Sequence, residues 1–415
     1  MRALSESHES DAFAVSPSYN QQYANFYYMR LQMLKQAVSE AVDWDSPHAD
    51  RVLDVVPNKK VWVVGTIYRE MKNKPNIIDD LVKINHGITP EHAEKYTTPQ
   101  DLFYIEDEHG RMAIAGNALH LSQLVTGCVV AILGAENSDG LFVVEDVRAA
   151  GIIPPPAIPS GVSGKKIALV SGLLLDNKIQ ESPKYQLLVD FLSGQFGDAT
   201  AAGPASNICR LVVAGGVIAA PPAELIGSRV QRPQTDASAV QALGEYIRSL
   251  ALSMPVHLMP GEGDPTDIAL PQQPLHKGLF AASADLIKSG ALVLETNPLM
   301  LDIDGVKLLG SSGQPVSDLC RYNESEAIEL LQKTLEWRHL CPTAPDTLCS
   351  YPFVDNDPFV VQHAAHVCFA GNQPFYASKM ALGTRLLTVP DFASTGQLVL
   401  LDMESLETEV VAFSV

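Results

Sequence analysis

Asp176, Glu262, Asp264, Asp267, His363 and His366 are the side chains of this 415-residue chain that could hold a metal near the ends of its apolar runs. Hydrolysis of a phosphoester on two cations needs carboxylates, an Asn and several imidazoles at one sheet edge. Ions about 3.5–4 Å apart must be bridged and held there. The acids here are scattered over loops, where Asp more often caps helices or forms turns. His366 precedes an apolar strand and reads as a satisfied core or rim histidine. A relocated metal site is therefore the weaker reading, and a chain without a reaction centre the stronger.

The elements that would position such a site are clear. Ile167-Ala168-Leu169-Val170 stops at Ser171-Gly172, and Leu211-Val212-Val213-Ala214 stops at Gly215-Gly216. Val256-His257-Leu258-Met259 stops at Pro260-Gly261, and His366-Val367-Cys368-Phe369-Ala370 stops at Gly371. Short apolar runs closed by small residues read as buried strands. Strand ends in an α/β sheet are where ligands usually sit. Helices are expected over residues 183–192, from a cap at Asp236 to residue 253, and from an Asn323/Glu326 capping box to residue 340. Asp304-Gly305 joins a hairpin, and residues 398–402 and 410–413 form a last antiparallel pair. Strands alternating with helices, with antiparallel pairs added late, suggest a layered α/β sandwich.

The first part of the chain follows another pattern. Residues 19–42 carry apolar side chains at helical spacing and read as a docking helix. Residues 61–68, 102–106, 111–115, 127–133 and 141–147 read as strands, with a helix over 117–124 between the third and fourth. That is the order of a five-stranded OB barrel. A short helical piece is expected around residues 79–84. The expected layout is a flexible N-terminus (1–18), the docking helix (19–42), an OB-fold domain (43–153), a proline-rich linker (154–164) and a second domain (165–415).

Totals limit the partners. Asp and Glu number 48 against 29 Lys and Arg, a net charge of −19, which disfavours nucleic acid because phosphate contacts dominate that affinity. The 6 cysteines include no C-x-x-C pair, so zinc or iron–sulfur ligation is unsupported. Neither a signal core nor an 18-residue apolar run is present, and a soluble intracellular protein with no membrane partner is expected.

In order, the segments resemble the calcineurin-like metallophosphoesterases, with the ligands replaced. Where that family has D-x-H, this chain has Gly172 and Leu174; where it has G-D-x-x-D, Gly216 and Ala219 replace both acids. Its G-N-H-D becomes Gly261-Glu262-Gly263-Asp264, and its G-H-x-H becomes Gly371-Asn372-Gln373-Pro374. The turn glycines persist while the cation ligands do not, as when a fold outlives an activity. No catalytic residue, metal or cofactor is implied.

An OB domain before such a sandwich resembles the B-subunits of eukaryotic replicative DNA polymerases. Val64-Gly65-Thr66-Ile67-Tyr68-Arg69-Glu70-Met71, Lys74-Pro75-Asn76-Ile77 and Met259-Pro260-Gly261-Glu262-Gly263-Asp264-Pro265-Thr266 resemble the delta small-subunit family. So do Leu270-Pro271-Gln272-Gln273-Pro274-Leu275-His276, Pro342-Thr343-Ala344-Pro345-Asp346-Thr347-Leu348 and Asp357-Pro358-Phe359. Gly310-Ser311-Ser312-Gly313-Gln314 matches its G-T-S-G-Q run with Ser for Thr. The chain departs from the pattern at Leu173-Leu174-Leu175 and in the Ala-rich residues 199–205.

The resemblance implies a non-catalytic scaffold in DNA replication and repair. It would tie the cysteine-rich C-terminal domain of the polymerase delta catalytic subunit to the N-terminal domain of the third subunit. In some lineages it would also serve the polymerase zeta catalytic subunit. A nuclear place comes from the family alone, since Lys59-Lys60 and Lys165-Lys166 are too short for an import signal. The rival reading is single-strand binding by the barrel, with Trp62, Tyr68, Phe103, Tyr104 and Phe142 as stacking platforms. Residues 61–150 hold 7 Lys and Arg against 13 Asp and Glu, which opposes it.

Overall fold

The computed structural model describes residues 3–9, 11–15, 23–75, 93–176, 182–195, 205–219, 224–226, 229–231 and 237–414. The helical piece expected at 79–84 and the cap at Asp236 lie outside them. Two compact units form, one from Met1–Val15, Pro154–Gln314 and Ala364–Val415, the other from Ser16–Ile153 and Pro315–His363.

The first unit carries two six-stranded sheets. One runs Leu292–Leu294, Val256–Met259, Ile208–Ala214, Lys166–Val170, Gln397–Asp402, Thr408–Ala412. The other runs Ser7–Glu9, Leu299–Ile303, Val306–Ser311, Val367–Gln373, Thr384–Pro390, Ala377–Ala381. Alternate side chains explain the layering. Ile167, Leu169 and Val212 pack with Leu301, Leu308, Phe369 and Leu387 of the facing sheet. Ala168, Val170, Leu211 and Val213 point the other way, onto Leu188 and Leu192 of helix Pro183–Ser193 and Leu243, Ile247 and Leu250 of helix Ala237–Ala251. Strands covered on both faces must be apolar throughout, which is why these runs show no alternation.

In the second unit, strands Val61–Glu70, Leu102–Glu106, Arg111–Ala115, Phe142–Arg148 and Val129–Glu136 pair in that order around a closed ring. Helix Ala24–Glu40 lays Leu31, Leu34 and Val38 on Val64, Val129 and Ala131 of the barrel wall.

Several expectations change. Residues 315–363 were expected within the second domain, yet Leu319, Tyr322, Leu330 and Trp337 pack with Val63, Ile67, Ile105 and Val130 of the barrel. Their apolar faces give no sign in sequence of which core they will join. The N-terminal segment, expected to be loose, is seated on a sheet: Ser7–Glu9 pairs with Leu301–Ile303, and Phe13 is buried. The expected capping box does not form. Helix Ala327–Glu336 starts after an extended Glu326, because Asn323 N–H instead closes the preceding helix on the Leu319 carbonyl.

Candidate functional site

The strand ends of the first unit meet in a set of backbone turns. Gly172, Gly215 and Gly216 take φ of 61°, 72° and 66°, and Leu174 and Asn372 are also left-handed at 43° and 51°. Gly172 N–H donates to the Gly215 carbonyl at 3.0 Å, and Leu174 N–H to that of Gly216 at 2.9 Å. Asn372 lies across this junction. Its Nδ2 donates to the carbonyls of Ala214 (3.0 Å) and Ser312 (2.7 Å), and its backbone N–H donates to Ser171 Oγ at 2.8 Å. A Cβ added at Gly172 would stand 2.9 Å from Asn372 Oδ1 and 2.8 Å from Asp391 Cγ. One added at Gly216 would overlap the same Asn372 oxygen. The volume into which side chains at both glycines would reach is filled.

Asp264, the acid of the Gly261-Glu262-Gly263-Asp264 run, faces inward. Its Oδ2 accepts from the backbone of Gly216 (3.0 Å) and Gly261 (2.7 Å), its Oδ1 from Val217 (2.9 Å) and Ile218 (3.0 Å). Burial pushes its pKa up to about 6, while the four amides pull it down. With both oxygens engaged by two donors each, the carboxylate holds the loops together.

The other candidates do not converge. Glu262, Gly263, Asp267 and Pro374 are exposed, Asp176 is half-buried, and Ala219 donates its N–H to the Leu175 carbonyl at 3.1 Å. His363 is exposed and belongs to the other unit. His366 is buried, its Nδ1 accepting from Lys307 N–H at 2.9 Å and its Nε2 lying 3.2 Å from the Pro156 carbonyl. It is a neutral core histidine whose pKa burial lowers. Among the described residues, no group of three or more His, Cys, Asp or Glu could hold a metal ion.

Beside the junction lies a buried amide network that sequence reasoning missed. Asn297 Nδ2 donates to Gln272 Oε1 (2.7 Å), Ser312 Oγ (2.9 Å) and Gln314 Oε1 (3.0 Å). Gln272 Nε2 donates on to the Gly261 and Asp267 carbonyls at 3.1 and 2.9 Å. The polar runs around Gln272 and Gln314 were the available signal. They carried a family resemblance and no pairing, because no spacing rule joins amides so far apart.

Residues 22–147 match the family model of the DNA polymerase delta subunit OB-fold domain, and residues 167–378 match that of the DNA polymerase alpha/epsilon B-subunit. The DNA polymerase delta small subunit of Oryza sativa subsp. japonica is 37% identical over 404 residues, covering 95% of this chain and 93% of that protein. That of Saccharomyces cerevisiae is 32% identical over 448 aligned positions, covering 96% of this chain and 90% of that protein. The chain belongs to the DNA polymerase delta small-subunit family. It is an accessory subunit of a DNA polymerase delta complex, and its partners are other polymerase subunits. A solved archaeal phosphodiesterase superposes with a TM-score of 0.32 at 10% identity, covering 60% of this chain and 99% of that one, too weakly to add to this.

In the barrel unit of this delta small subunit, most aromatic candidates are engaged internally. Phe103 and Phe142 are buried, and Trp62 stacks on His48 at 3.9 Å with its Nε1 donating to the Ser46 carbonyl. Tyr68 and Tyr104 face each other on paired strands at 6.3 Å, with the Arg111 guanidinium 4.6 and 5.2 Å from their rings.

The same unit holds a fully buried ion pair that sequence gave no hint of. Arg30 Nε donates to Asp357 Oδ2 at 2.8 Å, and its other nitrogens reach the carbonyls of Gly127, Pro342 and Ala344. His339 Nε2 lies 2.8 Å from the same Asp357 oxygen, while His339 Nδ1 accepts from Cys341 N–H at 3.2 Å, so the ring is neutral with its proton on Nε2. Burial, and then Arg30, lower the His339 pKa to about 4. Burial alone would raise the Asp357 carboxyl; His339 and Arg30 outweigh it and hold it at about 2.

Proposed function

We propose that this delta small subunit is architectural, an OB-type barrel joined to an αββα sandwich of calcineurin-like type whose metal centre is degenerate. Its task is to tie the cysteine-rich C-terminal domain of the catalytic subunit to the N-terminal domain of the third subunit, in the nucleus, for replication and repair. Where the same subunit serves polymerase zeta, it would receive that catalytic subunit likewise. The observation that carries the reading is the filled junction. Asn372 takes the space in front of Gly172 and Gly216, and the Asp264 carboxylate is engaged by four backbone amides. The positions Gly172, Leu174, Gly216, Ala219, Glu262, Gly263, Asn372 and Pro374 offer no His or Asp where two cations would need bridging.

Co-expression with the C-terminal domain of the catalytic subunit tests the scaffold. One stable stoichiometric complex is expected, which the N-terminal domain of the third subunit joins. Separate elution of the two proteins would count against it, as would manganese-dependent cleavage of a phosphodiester by the purified chain.

A further inference from the structure

The N-terminal strap of the first unit ends its run across the sheet on an unusual cation. Arg210 is 6% exposed, and its described hydrogen-bond partners include no carboxylate. Its Nε donates to Ser5 Oγ at 2.9 Å and its Nη2 to the Ser5 carbonyl at 2.7 Å. Its Nη1 lies 3.1 Å from His257 Nε2, and His257 Nδ1 lies 2.7 Å from Glu295 Oε1. Along this line of contacts the first carboxylate, Glu295, is one imidazole away. Asp304 is a second acid in the neighbourhood, but it is paired with Lys165 at 2.7 Å and accepts from Glu6 N–H at 2.7 Å.

The strap itself is lightly held. Ala3 N–H donates to the Ser206 carbonyl at 3.0 Å, Ser7–Glu9 pairs with Leu301–Ile303, and Gln273 brackets Phe13 O and Val15 N–H at 3.1 Å each. Among the described residues of the strap Phe13 is the one sealed side chain, and Leu4, Glu6 and His8 are exposed. Beyond the contacts of Arg210, Asp304 and Gln273, the described strap is fastened by backbone bonds and one ring, which places it at the low end of local stability. It can open to present Ser5, which is half-buried and followed by Glu6, Glu9 and Asp11, a context suited to kinases that read acids.

We infer that Ser5 is a phosphorylation site whose phosphoryl group Arg210 receives, locking the strap on the sheet. A protein kinase would transfer the γ-phosphoryl of a nucleoside triphosphate. The Ser5 Oγ–P bond forms, the P–O bond to the nucleoside diphosphate breaks, and the hydroxyl proton leaves to the kinase's base. The modified side chain brings close to two negative charges and three acceptor oxygens to a guanidinium fork that now binds a hydroxyl and a carbonyl. The neighbouring Asp304 opposes this, but Lys165 already neutralises it.

The test is hydrogen exchange on the full chain carrying genetically encoded phosphoserine at position 5. Amides of residues 7–9 are expected to exchange about tenfold more slowly than in the unmodified chain. Arg210→Gln should abolish that gain. Should Arg210→Gln not fold, Arg210→Lys decides, since it keeps the charge but loses the fork and should retain less than a third of the gain. Unchanged or faster exchange on phosphorylation overturns the inference, as does a gain that survives both variants. Mass mapping of the protein from its own cells must find the phosphate on Ser5; its absence there, or its presence on Ser7 alone, overturns the assignment.

Discussion

Asn372 occupies the space that a side chain at Gly216 would enter, and its Nδ2 ties together the carbonyls of Ala214 and Ser312 behind it. Placing a carboxylate there is therefore not a matter of one substitution. Gly216→Asp meets both the Asn372 oxygen and a backbone φ of 66°. It should destabilise the first unit by about 2–4 kcal/mol, from left-handed strain plus displacement of the amide. Asn372→Ala in the same chain should recover part of the loss, since the cycle removes the overlap. Urea unfolding of the single and double variants measures this coupling, and strictly additive losses would show that the two positions do not share the space.

Asp264 supports the same junction from the opposite side. Asp264→Asn turns one acceptor into a donor facing two N–H groups, and about 2–4 kcal/mol should be lost, the cost of buried donors left unpaired. Asp264→Gly leaves four converging amides without their anion, so millimolar formate should raise its thermal midpoint more than it raises that of the wild type. Neither variant should change phosphodiester turnover, because the carboxylate meets backbone alone. Loss of a measurable metal-dependent turnover on replacing Asp264 would contradict this.

Much of the fold was legible because its strands are short and unambiguous. The apolar runs closed at Gly172, Gly216 and Gly261 mark strand ends by composition, and Asp304-Gly305 marks its hairpin. That residues 172, 174 and 216 are Gly, Leu and Gly, and offer no cation ligand, is visible without coordinates. What fills the space in front of them could not be read. Asn372 becomes a plug only when strands far apart in sequence converge, and Arg30 finds Asp357 across 327 positions. Helices such as Ala327–Glu336 are apolar on one face whichever core they join, so the chain's return to the barrel unit left no local mark.

Arg30 anchors helix Ala24–Glu40 through buried bonds, and its removal should be costly. Arg30→Met leaves the Asp357 carboxylate without its counter-charge, with only His339 and the Phe359 N–H on it, and takes the Arg30 donors from the Pro342 and Ala344 carbonyls, a loss of about 3–5 kcal/mol. Limited proteolysis should then cut within residues 24–40 well before the sandwich is attacked. Asp357→Asn should be milder, as it keeps the shape and one acceptor. An Arg30→Met chain as protease-resistant as the wild type would show that the apolar contacts of Leu31, Leu34 and Val38 suffice.

The barrel's charge balance opposes a nucleic-acid face despite the pair Tyr68 and Tyr104. Arg111 lies over both rings, and it is itself paired with Glu106. A single-stranded oligonucleotide should not be retained by micromolar protein at physiological salt, and Tyr68→Ala with Tyr104→Ala should leave that result unchanged. Retention that the double substitution abolishes would establish a stacking site there.

Acid should weaken the barrel unit through one histidine. Folded His339 takes up a proton only near pH 4, whereas its unfolded counterpart does so at 6.5. The unfolded chain therefore binds more protons between these values. Stability is full above pH 6.5 and falls as the pH drops toward 4, by about 3 kcal/mol for this group alone. Asp357, held at about 2 against an ordinary 3.8, adds a further loss only below pH 4. Asp264 works in the opposite sense. With its pKa raised to about 6, it favours the folded sandwich at low pH and loses that contribution as the pH rises through 6. The units should thus diverge on acidification, and exchange measured separately on barrel and sandwich peptides can follow each. His339→Gln should flatten the barrel's response between pH 6.5 and 4 while leaving the sandwich as it was. A barrel response unchanged by that substitution would place the acid sensitivity elsewhere.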